Sequence, residues 1–134
     1  METLLTPTLT TNGTSSLNQS QTPSHSNRFL RNKDLIDQKV LDKATIVGAG
    51  GIGSSLVRSA AIMGFRQMTI WDYDTLEEHN LSTTTFSKEF LDEPKADTAA
   101  IIASRYGCEN AIARNQPWIT GQPLDNIVFM CPDN

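Results

Sequence analysis

The chain has 134 residues and a formal net charge of −4, which suits one domain and excludes a general basic field for nucleic acid or an anionic membrane surface. Its two cysteines, Cys108 and Cys131, are too few and too far apart for a disulfide framework. No apolar stretch approaches membrane-spanning length, and the N-terminus lacks the regions of a secretory signal. These features predict a cytoplasmic protein with no nucleic-acid or membrane partner.

The first 27 residues differ in composition from the rest. Residues 1–27 are mostly Thr, Ser, Asn and Gln, and such a segment has too little apolar surface to offset its ordering entropy. We therefore predict a disordered tail over 1–27 and a domain over 28–134. Within that domain, residues 34–42 carry apolar side chains at helix-like offsets, which predicts a short helix or turn before the first strand.

Strand-like and helix-like segments then alternate along the chain. The strand-like segments are KATIVG (43–48), QMTIWD (67–72), AIARN (111–115) and NIVFMC (126–131). One helix is predicted from Ser54 to Met63, closed by Gly64, and a second over 94–106, closed by Gly107. The alternation predicts an α/β, Rossmann-like fold: a parallel sheet of about four strands in the order 3-2-1-4 with flanking helices.

A glycine-rich turn links the first strand to the first helix. Gly48, Gly50 and Gly53 satisfy the pattern G-x-G-x-x-G, which allows a sharp turn and a close approach to a phosphate at the helix N-terminus. Asp72 ends the second strand, about twenty residues later, where an acidic side chain reaches a ribose hydroxyl. This pattern fits NAD and ATP equally well.

Five motifs in order carry a resemblance to a known family. They are GAGGIGS (48–54), WDYD (71–74), NL (80–81), PKA (94–96) and CPDN (131–134). In this order and spacing they resemble the ThiF/MoeB/HesA superfamily, the adenylating domain shared with ubiquitin-activating enzymes. The resemblance implies binding of ATP and Mg²⁺, and attack of a carboxylate on the α-phosphate. That carboxylate would be the C-terminus of a ubiquitin-like or sulfur-carrier protein.

The resemblance also implies roles for individual residues. Asp72 would hold the ribose, and the backbone around Gly51 would lie against the phosphates. Lys95 would neutralise developing charge, and Asp133 would carry Mg²⁺ through its carboxylate oxygens. Two further residues, Asn80 and Asp74, would shape the phosphate pocket and support the site, respectively.

A segment before the first strand resembles another element of the family. RFLRN (28–32) is similar to an arginine-containing stretch that reaches the ATP phosphates of a partner subunit. Arg31 is the better match and Arg28 the second. This similarity implies a homodimer or a complementing chain.

The sequence departs from the family pattern at two places. Thr83 stands where the family has an arginine after N-L, so the fixed charge is missing there, and Lys88 is the nearest candidate to replace it. The sequence ends immediately after the D-N motif. The resemblance therefore predicts the N-terminal nucleotide-binding half of the fold, C-terminally incomplete, with Cys131 as a small buried apolar residue and not an acceptor thiol.

Three hypotheses follow. The first is ATP-dependent adenylylation of a ubiquitin-like or sulfur-carrier protein, incomplete without the missing half. The second is a non-catalytic nucleotide-binding or dimerisation module, which the absent arginine favours. The third is an NAD-dependent oxidoreductase, which the glycine turn and Asp72 permit but which gives Lys95 no role.

Overall fold

The structure is a computed structural model that describes residues 28–32 and 34–132. It divides into two units, one up to Ile36 and one from Asp37. The predicted tail over residues 1–27 lies outside the described residues, and the boundary at residue 28 stays a prediction. In the first unit, residues 29–32 and 34–35 form turns, and the Ile36 N–H donates to the Asn32 carbonyl at 3.1 Å.

The second unit is a four-stranded parallel sheet with two helices. Its elements are β1 (Lys43–Val47), α1 (Gly51–Met63), β2 (Gln67–Trp71), α2 (Lys95–Arg105), β3 (Asn110–Arg114) and β4 (Ile127–Met130). Two 3₁₀ helices, Glu78–Ser82 and Lys88–Phe90, lie between β2 and α2. The strand order is β3-β2-β1-β4, so the predicted Rossmann-like α/β fold is confirmed.

The core lies where the central strands meet one face of each helix. The four residues Ala44, Ile46, Met68 and Ile70 of β1 and β2 are fully buried. Both helices direct a stripe of small residues at this layer: Val57, Ala60 and Ala61 from α1, and Ala96, Ala99 and Ala103 from α2. Small side chains at helical spacing let the helices approach the sheet closely.

The glycines that follow the helices act as predicted. Gly64 has a φ of +120° and donates its N–H to the Ala60 carbonyl at 3.1 Å, which ends α1. Gly107 has a φ of +100° just beyond α2. Such conformations favour glycine because it has no Cβ.

One boundary differs from the sequence prediction. The helix α1 begins at Gly51, three residues before the predicted Ser54, because the glycines of the turn adopt helical geometry despite their low propensity. Residues 34–42 form turns, the second of the two predicted possibilities, because a short amphipathic stretch does not recover the cost of helix nucleation. Neither α1 nor α2, nor any other described helix, has the length and apolar character to cross a membrane.

The register brings the carboxyl ends of all four strands to one edge of the sheet. Val47 at the end of β1 pairs with Trp71 of β2 and with Met130 of β4. Trp71 in turn pairs with Arg114 at the end of β3. Side chains that follow these strands therefore share one edge, which is where open α/β sheets bind ligands.

Candidate nucleotide-binding site

A tight turn joins β1 to α1, and close packing fixes two of its glycines. Gly48 has a φ of +95° and donates its N–H to the Trp71 carbonyl at 2.8 Å. A Cβ on Gly48 would overlap the Cys131 carbonyl, and a Cβ on Gly53 would overlap the Gly48 carbonyl. Glycine is therefore required at both positions to bring β1, α1 and the segment after β4 together.

The first turn of α1 is suited to an anion. Its N-cap is Gly50, which has no side chain to cap the helix, and no acidic residue lies in the first turn. The initial N–H groups of a helix have no intrahelical acceptor, and the helix dipole adds a partial positive charge there. This helix start can therefore accept a phosphate.

The carboxylate of Asp72 joins the glycine turn to the loop after β2. One oxygen, Oδ2, accepts the Ala49 N–H at 2.7 Å, and Oδ1 accepts the Asp74 N–H at 2.7 Å. Both are short, charge-assisted bonds that fix the backbone on either side. Each carboxylate oxygen has a second lone pair, so Asp72 retains capacity for a ligand hydroxyl.

Lys95 is a buried cation at the start of α2. Its side chain is 6% exposed, and its Nζ lies 3.4 Å from Oδ2 of Asp74, whose side chain is 48% exposed. The segments that carry the two residues run side by side: Thr75 pairs with Pro94, and the Lys95 N–H donates to the Asp74 carbonyl at 2.8 Å. A buried ammonium with one long contact to a half-exposed carboxylate can interact with a further anion.

The loop after β2 packs against the first turn of α1. Oδ1 of Asn80 accepts the Glu77 N–H at 3.0 Å, which shapes the 3₁₀ helix Glu78–Ser82. Further on, the Thr85 N–H donates to Oγ of the fully buried Ser54 at 3.0 Å. A Cβ on Gly51 would lie 3.0 Å from the Thr83 carbonyl oxygen. The Thr83 hydroxyl donates to the Asn80 carbonyl at 3.2 Å.

Two clefts open beside these residues. The first, about 140 Å³, lies at the carboxyl ends of β1, β2 and β4 and is lined by Val47, Gly48, Gly50, Trp71, Asp72, Tyr73, Asp74, Pro117, Trp118, Cys131 and Pro132. The second, about 280 Å³, is lined by Asp74, Thr75, Glu77, His79, Asn80 and Lys95. Asp74 lines both clefts, so together they form one site on the sheet edge.

Most of the residues predicted for the site are brought together. Gly48, Gly50, Asp72 and Asp74 line the first cleft, Asn80 and Lys95 line the second, and Gly51 and Gly53 lie in the first turn of α1. Arg31 is exposed and belongs to the first unit, and its approach to a partner's phosphates stays a prediction. Lys88 is exposed at the start of a 3₁₀ helix.

The predicted magnesium ligand Asp133 lies outside the described residues. Among residues 28–32 and 34–132, no three His, Cys, Asp or Glu side chains cluster closely enough to hold a metal ion. Both Asp72 oxygens already accept backbone N–H groups, and Asp74 faces Lys95. The described carboxylates therefore do not form a magnesium site by themselves.

Sequence reasoning misses three contributors. It treats Ser54 only as the helix start, although the Ser54 hydroxyl holds the loop at Thr85. It assigns no role to Trp71 and Trp118, which both line the first cleft. Ser54 could have been recognised as a contact residue, because it is the last residue of the glycine motif and carries a hydroxyl. Trp118 could not, because it lies in an irregular loop where periodicity gives no information.

The fold and this edge define a Rossmann-like α/β domain with a four-stranded parallel sheet. Residues 27–132 match the ThiF family, and the chain belongs to that family. It is similar to the adenylyltransferase and sulfurtransferase UBA4 of Yarrowia lipolytica, at 39% identity over 75% of this chain and 22% of that protein. It is also similar to the molybdopterin-synthase adenylyltransferase of Salmonella typhimurium, at 32% identity over 72% of this chain and 36% of that protein.

A shorter match is to the NEDD8-activating enzyme E1 catalytic subunit of Schizosaccharomyces pombe, 41% identical over 43% of this chain and 13% of that protein. Two solved structures share the fold. E. coli TcdA, a tRNA N6-threonylcarbamoyladenosine dehydratase, superposes with a TM-score of 0.61 at 21% identity over 68% of this chain and 41% of that one. E. coli MccB with ATP superposes with a TM-score of 0.53 at 25% identity over 57% of this chain and 23% of that one. The chain spans well under half the length of each of these proteins.

Proposed function

We propose that this domain binds ATP and activates the C-terminal carboxylate of a ubiquitin-like or sulfur-carrier protein as an acyl-adenylate. The observation that carries the proposal is the buried ammonium of Lys95 in the second cleft, 3.4 Å from Asp74. Asp74 also lines the first cleft, which contains the glycine turn. A buried positive charge is costly unless an anion compensates it. The carboxylate of Asp74 is half-exposed and hydrated, so it compensates the charge of Lys95 only in part. A bound polyphosphate would supply the missing negative charge.

The geometry supports one orientation for the nucleotide. The phosphates would lie at the start of α1, where N–H groups without intrahelical acceptors meet the glycine turn. The ribose would reach the free lone pairs of Asp72, and the base would enter the first cleft between the strand ends. The similar E. coli protein MccB was crystallised with ATP, which supports ATP over NAD.

The reaction is a displacement at phosphorus. An oxygen of the protein substrate's carboxylate would attack the α-phosphorus, the bond from that phosphorus to the bridging oxygen would break, and pyrophosphate would leave. Such a step needs charge neutralisation and alignment more than a protein base. Lys95 would stabilise the charge that develops on the phosphates, and Asn80 would shape the pocket around them.

The Mg²⁺ that accompanies ATP stays part of this proposal, with Asp133 as its ligand. Magnesium binds carboxylate oxygens and would neutralise phosphate charge. The partner is likewise proposed from the relatives: the Yarrowia protein is named an adenylyltransferase and the Schizosaccharomyces protein an activating subunit for NEDD8. In a homodimer, Arg31 of each subunit would reach the phosphates bound by its partner, and with a complementing chain Arg31 would reach the phosphates bound by that chain.

A second candidate is a nucleotide-binding module without catalysis of its own. Thr83 favours it, because its side chain is uncharged where the family resemblance implies a cationic side chain, and its hydroxyl donates to the Asn80 carbonyl at 3.2 Å. A hydroxyl offers no fixed charge to a phosphate, so transition-state stabilisation would depend on Lys95.

Pyrophosphate exchange separates the candidates. The purified chain is mixed with ATP, labelled pyrophosphate and a small β-grasp protein that ends in a free carboxylate. Exchange into ATP that requires the β-grasp protein supports adenylylation. ATP binding by calorimetry without exchange supports the non-catalytic module, and binding of NADH with no ATP binding contradicts both.

A further inference from the structure

His79 lines the second cleft together with Asn80 and Lys95. Its side chain is 74% exposed, and its Nδ1 lies 3.3 Å from Oε2 of Glu77. Within the described part of the chain that contact engages one ring nitrogen, so the other, Nε2, can donate to a ligand. His79 therefore carries an accessible donor in the cleft that contains the buried ammonium of Lys95.

The segment that carries His79 is held by hydrogen bonds on both sides of this residue. The Glu77 N–H donates to Asn80 Oδ1 at 3.0 Å, and the Ser82 hydroxyl donates to the His79 carbonyl at 3.2 Å. The hydroxyl of Thr84 donates to the Asn80 carbonyl at 3.0 Å. The exposed imidazole is therefore attached to a fixed backbone.

The charges of the second cleft do not suit a polyphosphate while His79 is neutral. The described lining contains two carboxylates, Asp74 and Glu77, and one ammonium, Lys95. The lining then has a net negative charge, which would repel a phosphate. Protonation of His79 removes this net charge, and histidine is the side chain that ordinarily changes its charge between about pH 5 and 8.

We infer that the imidazolium form of His79 contacts the phosphates of the bound nucleotide and supplies the second positive charge of this cleft. This inference rests on the proposed function, since it assumes that a polyphosphate occupies the site. A polyphosphate binds the imidazolium form more tightly than the neutral form, because opposite charges attract. ATP affinity should therefore rise as the pH falls through the range in which histidine titrates.

Charged groups on three segments act on this imidazole. Glu77 and Glu78 precede it in the chain, Asp74 lies on the loop after β2, and Lys95 lies at the start of α2. The carboxylates attract an imidazolium and Lys95 repels it, and these effects are present with and without a ligand. The phosphates of ATP add negative charge only when ATP is bound, so they make the affinity depend on pH.

The test compares His79→Gln with the parent chain by calorimetry with ATP at about pH 6 and about pH 8. Glutamine keeps a hydrogen-bonding side chain and carries no charge at either pH. At the lower pH the parent should bind ATP about three- to tenfold more tightly, a modest effect because solvent screens a side chain that is 74% exposed. At the higher pH the two affinities should be equal. Titration of ATP itself is common to both chains.

Glu78→Gln is the matched control, because Glu78 is adjacent and exposed and lies outside the described lining of the cleft. It should keep the parent's gain in ATP affinity at the lower pH. Calorimetry in two buffers of different ionisation enthalpy adds a second readout, the number of protons taken up on ATP binding. The parent should take up more protons than His79→Gln, and a purely structural role of His79 would not change this uptake.

Equal or tighter ATP binding by His79→Gln at the lower pH would overturn the inference and leave the proposed function standing. The same loss of affinity at both pH values would also overturn it, because the contact would then not depend on charge. No ATP binding by the parent chain at either pH would overturn the proposed function, and this inference with it.

Discussion

The carboxylate of Asp72 accepts the Ala49 N–H at 2.7 Å, which joins the end of β2 to the glycine turn. Its other oxygen accepts the Asp74 N–H, also at 2.7 Å. The same side chain therefore organises the turn that would bind phosphates and the segment that carries the partner of Lys95. Its position supports a structural role in addition to the proposed contact with a ribose.

Asp72→Asn should weaken both roles. The amide can accept only on its oxygen, so one of the two backbone N–H groups would face an NH₂ group. We expect a loss of about 1–3 kcal/mol in the free energy of unfolding, together with weaker ATP binding. Urea denaturation and calorimetry measure the two effects. Asp42→Asn removes the same charge from an exposed residue and should be neutral; similar losses in both variants would contradict the role given to Asp72.

Alanine variants of two glycines with similar φ values distinguish the cost of steric overlap from the cost of backbone strain. Gly48 and Gly121 have φ values of +95° and +98°, but a Cβ on Gly48 would overlap the Cys131 carbonyl whereas a Cβ on Gly121 meets nothing within 4 Å. Gly121→Ala should cost about 1–2 kcal/mol from its positive φ alone. Gly48→Ala should cost clearly more in urea denaturation, because backbone must also move. Equal costs would show that the packing around Gly48 is looser than described.

The parallel sheet could be predicted from the sequence because its strands are short, largely apolar segments that alternate with helical segments, and β1 and β2 are followed by Gly48 and Asp72. Gln67–Trp71, for example, lies within one residue of the predicted segment. Once the strands are parallel and alternate with helices, their carboxyl ends must meet at one edge. The proximity of Gly48 and Asp72 follows from that rule.

The burial of Lys95 could not be predicted in this way. It depends on the pairing of Thr75 with Pro94, a contact between two irregular segments that leaves no periodic pattern in the sequence. The same holds for Trp118, whose position depends on side-chain bonds at Asn115 and Asp125. Site residues on strand ends were predictable from the strand and helix pattern, Asn80 and Lys95 were predictable only from the family resemblance, and Trp118 was predictable from neither.

Alanine variants of two adjacent serines in α1 test the hydrogen bond that joins the loop at Thr85 to the first turns of the helix. Ser54 is fully buried and accepts the Thr85 N–H at 3.0 Å, whereas Ser55 is exposed and donates only to the Gly51 carbonyl at 3.4 Å. Ser54→Ala should cost about 1–2 kcal/mol and speed amide exchange at Thr85, because that N–H loses its acceptor. Ser55→Ala should leave both unchanged. Unaltered exchange at Thr85 in Ser54→Ala would argue against this attachment.

Burial raises the pKa of the thiols of Cys108 and Cys131. The folded chain then keeps thiol protons that the unfolded chain loses once the pH exceeds the unfolded pKa of roughly 8.5. The stability contributed by the protonated thiols is complete below that pH and is lost as the pH rises through the folded pKa values. We therefore expect the free energy of unfolding to fall in alkaline solution.

Comparison of the parent chain with the double variant Cys108→Ala, Cys131→Ala isolates the effect of the thiols on stability. Lysine and tyrosine side chains titrate alike in the parent and the variant. Its free energy of unfolding should decline less steeply than that of the parent above roughly pH 8.5 and in parallel with it near neutrality. The two pH profiles can be measured by urea denaturation under reducing conditions. Profiles of equal slope in the alkaline range would contradict the raised pKa values.

The variant Lys95→Met tests whether Lys95 contributes to ligand binding or to the stability of the fold. Methionine fills a similar volume without a charge, and Asp74, at 48% exposure, stays hydrated when its partner is removed. Replacement of a buried ion by an apolar residue of similar size is often neutral or stabilising, so the free energy of unfolding should change by no more than about 1 kcal/mol. ATP affinity and pyrophosphate exchange should nevertheless be lost, since no other side chain among the described residues of the second cleft carries a fixed positive charge. Lys88→Met, at an exposed position, should retain both, and retained exchange in Lys95→Met would remove this lysine from the mechanism.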